Sequence, residues 1–117
     1  MNALTVHIHA IPTGPVVVLT GDLDHQSAPH VRQALRGLDP RPGQQVVIDL
    51  AGLTFCDSTG ITVLIAARNQ ALAADAGIAL ARVPERVARV FRVIGLEQAF
   101  PTHASVDEAA AAWLRAG

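Results

Sequence analysis

The sequence predicts an α/β fold: a mixed sheet with parallel central strands. Three observations carry this. Two β-patterned segments open the chain, helical and β-branched segments then alternate to its end, and the joints between them are short and rich in turn residues. Of the 117 residues, 50% are hydrophobic and only 3% aromatic, so one core must be packed from Val, Ile, Leu and Ala. A chain of this size holds a single domain, residues 1–117. The expected sheet has four to five strands, with about four helices packed mainly on one side.

Leu4 to Ala10 alternates apolar and polar residues and reads as a half-exposed edge strand. After the turn Thr13-Gly14-Pro15, the β-branched run Val16 to Thr20 reads as a more buried strand that Gly21 ends. Ser27 is an N-cap candidate, with Pro29 in the first turn of a helix that presents Val31, Ala34, Leu35 and Leu38. Asp39-Pro40-Arg41-Pro42-Gly43 breaks that helix, and Gln45 to Leu50 is the central strand. A second helix, capped by Asp57, is expected from Ser58 to Ala76, with Gly77 at its C′ position. Ile78 to Val83 is the next strand. Pro84 opens a third helix with Val87, Val90, Phe91 and Ile94 on one face, and Gly95 closes it. Ala99 to His103 is a short edge strand. Ser105 and Glu108 form a capping box for a last helix ending near Arg115, whose Trp113 packs back on the body.

Composition excludes several function classes. The formal net charge is -1, which gives no overall attraction to nucleic acid or anionic membrane. All nine basic residues are Arg, so no mechanism can use a catalytic lysine. One cysteine, Cys56, rules out an internal disulfide and fits a cytoplasmic setting. No stretch reaches the roughly 20 apolar residues of a membrane span, and the first residues lack a signal-peptide pattern, so no membrane insertion is expected. His7 and His9 share one strand face, but two histidines without a third ligand do not make a metal site. There is no Gly-rich phosphate loop, and no cofactor is expected.

The informative segment runs from Val46 to Ile61, where a buried strand delivers Asp57-Ser58-Thr59-Gly60 to the start of a helix. The first N–H groups of a helix lack intrahelical partners, and the helix dipole adds positive character there. Asp57 can cap one donor, Ser58 is then held outward, and Gly60 lets something approach closely. A hydroxyl so placed is a plain cap neighbour, a nucleophile or a phosphorylation site. The nucleophile lacks a strained elbow and a base with its orienter, so the chain is not expected to be an enzyme. A phospho-accepting Asp57 of the receiver type lacks the acidic pair after the first strand and the lysine that such domains use.

With these residues in view, the sequence resembles the STAS family and, within it, the bacterial anti-sigma factor antagonists of the SpoIIAA type. The resemblance spans essentially the whole chain. It rests on Thr20-Gly21-Asp22-Leu23-Asp24, on Val46-Val47-Ile48-Asp49-Leu50 leading to Phe55-Cys56-Asp57-Ser58-Thr59-Gly60, and on Val87-Ala88-Arg89-Val90-Phe91 followed by Gly95-Leu96. It implies a STAS fold and a partner switch in transcription regulation. The unmodified protein binds an anti-sigma factor that is also a serine kinase of the GHKL type and so releases a sigma factor. Phosphorylation at Ser58 (alternative Thr59) dissolves the complex, and a PP2C-type phosphatase reverses it. The implied partner-binding residues are Asp22, Asp24, Asp57, Ser58, Thr59, Gly60 and Ile61. Cys56 stands where the family more often has an apolar residue, and it reads as a small buried hydrophobe. The alternative is a STAS-type accessory subunit of a lipid-transporting ABC complex.

Overall fold

The computed structural model describes residues 2–116. Strands β1 (Thr5–Ile11) and β2 (Gly14–Leu23) form an antiparallel hairpin, and β3 (Gln45–Cys56), β4 (Gly77–Ala81) and β5 (Thr102–His103) follow in parallel. The five strands lie in the order of the chain, β1-β2-β3-β4-β5. Each parallel step is crossed by a helix: α1 (Ala28–Arg36), α2 (Ser58–Ala73) and α3 (Glu85–Val93), with α4 (Val106–Ala116) last.

Side-chain alternation along the strands separates two cores. On one face Val17, Leu19, Val46, Ile48, Leu50, Ile78 and Leu80 meet Val31 and Leu35 of α1, Val63, Leu64 and Ala67 of α2, and Val87 and Phe91 of α3. On the other, Val16, Val47, Ala79 and Ala81 are covered by Ala109 of α4. Three helices therefore share one side, and the fourth closes part of the other. This packing buries Ile61, Val63, Leu64, Ala67 and Ala71 of α2, which lies on the sheet and beside α1, where Gln70 Nε2 donates to the carbonyls of Leu35 (2.7 Å) and Leu38 (3.3 Å).

Several expectations from the sequence need correction. Gly21 does not end β2, which runs on to Leu23 because it is paired on both sides: Asp22 N–H donates to Asn2 O (3.0 Å), and β3 continues beside it through register shifts. The central strand likewise extends past Leu50 to Cys56 instead of entering a loop. Ser27 does not cap α1. Its backbone is already helical, and its hydroxyl accepts from Asp24 N–H (2.9 Å) and donates to Asp22 O (2.8 Å). Helix α2 stops at Ala73, not Ala76, and Gly77 belongs to β4. The left-handed residue is Asp75, at φ 58°. Asp75 N–H donates to Leu72 O (3.0 Å) and Ala76 N–H to Ala71 O (2.9 Å), the paired bonds of a Schellman ending. The same motif closes α3, with Gly95 at φ 77° and Leu96 N–H donating to Phe91 O (2.9 Å). Strand β4 ends at Ala81, where Arg82 turns left-handed (φ 54°), and β5 shrinks to two residues.

That left-handed turn sends the Arg82 guanidinium across the sheet to Asp49, with Nη2 to Oδ2 at 2.6 Å and Nε to Oδ1 at 3.2 Å. Asp49 is 3% exposed on β3, and its second support is Ala51 N–H (3.1 Å). A buried carboxylate requires such pairing, since an isolated one costs several kcal/mol. The Asp49 carboxylate, as the nearest hydrogen-bond partner and charge, holds the Arg82 pKa above its ordinary value.

Helix α4 begins as the sequence indicates, with Ser105 Oγ accepting from Glu108 N–H (3.0 Å). Near its end Trp113 Nε1 donates to Gly43 O (3.0 Å), and the ring lies over Gly77. A Cβ at Gly77 would meet that ring at 2.4 Å, whereas a Cβ at Gly37 would find only Ala34 O at 3.4 Å. Gly77→Ala is therefore expected to lower stability by about 1–3 kcal/mol through overpacking and to red-shift Trp113 emission. Gly37→Ala is expected to be neutral or to stabilise by up to about 1 kcal/mol. Urea unfolding followed by fluorescence checks both.

Candidate functional site

The site forms where β2 and β3 end side by side, at the carboxyl ends of parallel strands. Leu23 pairs with Cys56, so Asp24 and Asp57 emerge as neighbours, and Asp57 N–H donates to Leu23 O (3.3 Å). This is the end of an open α/β sheet where ligands and partners commonly bind.

Asp57 is the N-cap of α2. Its backbone is extended, and its Oδ1 accepts from Gly60 N–H (2.9 Å). Gly60 is buried because the first turn of α2 lies hard against β2: a Cβ there would meet Leu23 O at 2.6 Å, Leu23 Cγ at 2.8 Å and Cys56 Sγ at 3.0 Å. Ile61, 7% exposed, belongs to the core. Gly60 and Ile61 thus support the site from below instead of presenting side chains on its surface. Ser58, the first helical residue, is exposed, and its hydroxyl makes no hydrogen bond among the described residues. Its carbonyl accepts from Thr62 Oγ1 (3.0 Å). Thr59 is half-buried, which leaves Ser58 as the more accessible hydroxyl.

The β2–α1 loop supplies two more carboxylates. Asp24 Oδ1 accepts from the N–H groups of Gln26 and Ser27, both at 3.0 Å, and so shapes its own turn. Asp22 is held by Thr54 Oγ1, which donates to Oδ1 at 2.6 Å, and by Asn2 N–H, which donates to Oδ2 at 3.0 Å. These bonds, the Thr54 hydroxyl first and the Asn2 backbone second, hold the Asp22 pKa below its ordinary value of 3.8. Asn2, Asp22, Asp24, Gln26 and Ser27 line a recess of about 380 Å³ beside the loop.

Nothing in the sequence pointed to a place at the site for Thr54, Asn2 or Phe55, although Phe55 opens the motif that carries the family resemblance. Phe55 is 49% exposed and lies opposite Asp22 in the register, two residues before Asp57. Recognising it required knowing that residues 51–56 are strand, since only then does its orientation follow. Cys56 is buried as expected. Burial, with the Asp57 carboxylate adding to it, pushes its thiol up to about 12. Among the described residues no three His, Cys, Asp or Glu side chains are grouped to hold a metal ion, and His7 and His9 lie on the edge strand with ring centroids 5.6 Å apart and their planes tilted by 35°.

The sequence model of the family described as "Mlab, STAS domain" matches residues 7–106. The chain belongs to the STAS domain family. Among STAS relatives, an anti-sigma-B factor antagonist of Listeria monocytogenes is 29% identical over 80 residues, 68% of this chain and 70% of that one. The crystal structure of an anti-sigma factor antagonist from Mycobacterium paratuberculosis superposes with a TM-score of 0.84 at 25% identity, covering 96% of this chain and 95% of that one. SpoIIAA, an anti-sigma factor antagonist, superposes in its unphosphorylated form with a TM-score of 0.74 at 20% identity, covering 97% and 98% of the two chains. Its phosphorylated form from Bacillus gives 0.65 at 20% identity over 92% and 96%. The STAS fold anticipated from the sequence is thus the fold observed.

The state of Cys56 gives a direct test of how tightly the STAS site is sealed beneath Ser58. A thiol raised to about 12 carries about a thousandfold less thiolate near neutral pH than an exposed one. Labelling by a disulfide reagent is expected to be slower by a comparable factor in the folded chain and fast in denaturant, as followed by absorbance.

Proposed function

We propose that the chain is an anti-sigma factor antagonist whose binding to an anti-sigma factor is switched off by a phosphate on Ser58. The observation that carries the reading is the contrast at the start of α2. Asp57, Gly60 and Ile61 are locked by a cap, a close contact and the core, while the exposed Ser58 hydroxyl has no partner among the described residues. The names of the relatives support the same function and favour it over the transporter-subunit alternative.

A kinase is required to supply the chemistry. The Ser58 oxygen attacks the γ-phosphorus of ATP, its proton passes to a base of the kinase, and ADP leaves. The antagonist contributes only the presented hydroxyl, which accords with a non-enzymatic role. The partner in this reading is an anti-sigma factor of the GHKL serine kinase type, and a PP2C-type phosphatase restores the hydroxyl. Phosphate adds about -1.5 to -2 charge next to Asp57. The free N–H groups of the first turn tolerate this charge, so the fold persists. A partner surface desolvated against the same spot does not tolerate it. Asp22, Asp24, Phe55 and Thr59 complete the contact surface, which makes the activity one of protein binding in the cytoplasm without direct contact to nucleic acid.

Incubation with the kinase partner and ATP, followed by mass spectrometry, is expected to place one phosphate on Ser58, retained in Thr59→Ala and absent in Ser58→Ala. Ser58→Ala is expected to keep partner affinity and Ser58→Asp to lose at least about tenfold, or ~1.4 kcal/mol. Equal affinity for the wild type and both Ser58 variants overturns the switch.

A further inference from the structure

At the opposite end of β3 the sheet has an incomplete edge. Strand β4 is paired with β3 along its whole length, from Gly77 opposite Gln45 to Ala81 opposite Asp49. On its outer side β5 covers only Leu80 and Ala81. Leu80 N–H donates to Pro101 O (2.9 Å) and Arg82 N–H to His103 O (3.0 Å), so even-numbered residues turn their main-chain groups outward. Ile78 comes next on that side and has no strand opposite it.

The open edge forms the base of a cavity of about 440 Å³. One wall is α2, with Arg68 and Leu72, and the other is α4, with Ala112 and Trp113, while Pro101 stands at the β5 end. Leu72 is 47% exposed there. Arg68 Nε donates to Ala99 O (3.0 Å), but no carboxylate pairs with the guanidinium among the described residues. Gln45 also lines the cavity at 4% exposure; its Nε2 donates to Ala109 O (3.3 Å), and its amide oxygen has no partner among the described residues.

We propose that this slot receives an extended segment of a partner protein, which adds a strand beside Gly77–Ala79 in line with β5. Unpaired main-chain groups at the base of an apolar groove are best satisfied by another main chain. The two walls then dictate the side chains. Consecutive residues of a strand point to opposite faces, so an apolar residue laid on Trp113 is followed or preceded by one directed at α2. There the uncompensated Arg68 calls for Asp or Glu, with its aliphatic flank covered by Leu72. The slot lies at the amino ends of the parallel strands and Ser58 at the carboxyl ends, separated by the length of the 12-residue β3, roughly 40 Å at about 3.3 Å per residue. It is a second binding surface, independent of the phosphate-controlled one.

Trp113 is the only tryptophan and there is no tyrosine, so intrinsic fluorescence reports on the slot directly. The probe is an acetylated, amidated heptapeptide of alternating threonine and valine with a central isoleucine–aspartate pair, titrated into the whole chain. A saturable change in Trp113 emission is expected, together with slowed hydrogen exchange at the Ile78 amide. Methylating the backbone nitrogens of the central pair removes the strand bonds and is expected to weaken binding by at least about tenfold. Arg68→Gln is expected to weaken the aspartate peptide by about three- to tenfold and to leave its asparagine counterpart unchanged. Absence of saturation at millimolar peptide overturns the proposal, as does equal binding of the methylated peptide, which would assign the cavity to apolar packing without strand addition. Titrating the Ser58→Asp chain in parallel separates this surface from the switch, because peptide affinity there is expected to be unchanged.

Discussion

The contact between the first turn of α2 and the end of β2 is the constraint from which the site follows. Leu23 O receives the Asp57 N–H (3.3 Å), and the absence of a side chain at Gly60 lets the helix sit directly over the same carbonyl. With that seat fixed, Asp57 is positioned to cap, Ile61 is driven into the core, and Ser58 has nowhere to point but outward. The exposure of one hydroxyl is thus a consequence of tight packing one turn away, not of local looseness. A helix start held this firmly can carry a change of charge without reorganising, so the change is felt by whatever docks there.

Much of this was readable before the structure. The order of elements, the capping Asp57, the Ser105 hydroxyl that caps α4 and the closure of α3 at Gly95 all rest on local rules that residue identity expresses directly. What escaped was decided by distant partners. Strand β3 reaches Cys56 because β2 and the chain around Asn2 continue the pairing, and nothing in residues 51–56 announces it. The end of α2 is instructive. The same pair of hydrogen bonds closes α2 and α3, yet one uses Asp75 and the other Gly95. Asp tolerates the left-handed region less readily than Gly, so the pattern looked for a glycine and found Gly77. That glycine is needed for another reason, the Trp113 ring lying on it. Ser27 failed as a cap for a related reason: its hydroxyl was already engaged by the Asp24 turn.

The two faces of the sheet are built unequally. The face under α1, α2 and α3 carries large aliphatic residues, and Leu19, Leu23, Ile48, Leu50 and Leu80 are essentially inaccessible. The face under α4 is lined by Val16, Val47, Ala79 and Ala81. Beyond α4 the Arg82–Asp49 pair takes over, covering strand surface with an ion pair instead of a helix. Small residues let α4 lie close to the strands, and it is attached by the bonds from Trp113 to Gly43 O and from Gln45 Nε2 to Ala109 O and by the apolar contact of Ala109.

The paired bonds between Asn2 and Asp22, reinforced by Asn2 Nδ2 donating to Thr54 Oγ1 (3.3 Å), fix the direction in which the chain arrives at the sheet. Any polypeptide attached ahead of residue 2 is led to the rim that holds Ser58. A module fused upstream would be tethered at high local concentration beside the helix mouth, able to shield it or to compete for it without strong intrinsic affinity. Fusion geometry alone could therefore tune how often that rim is free.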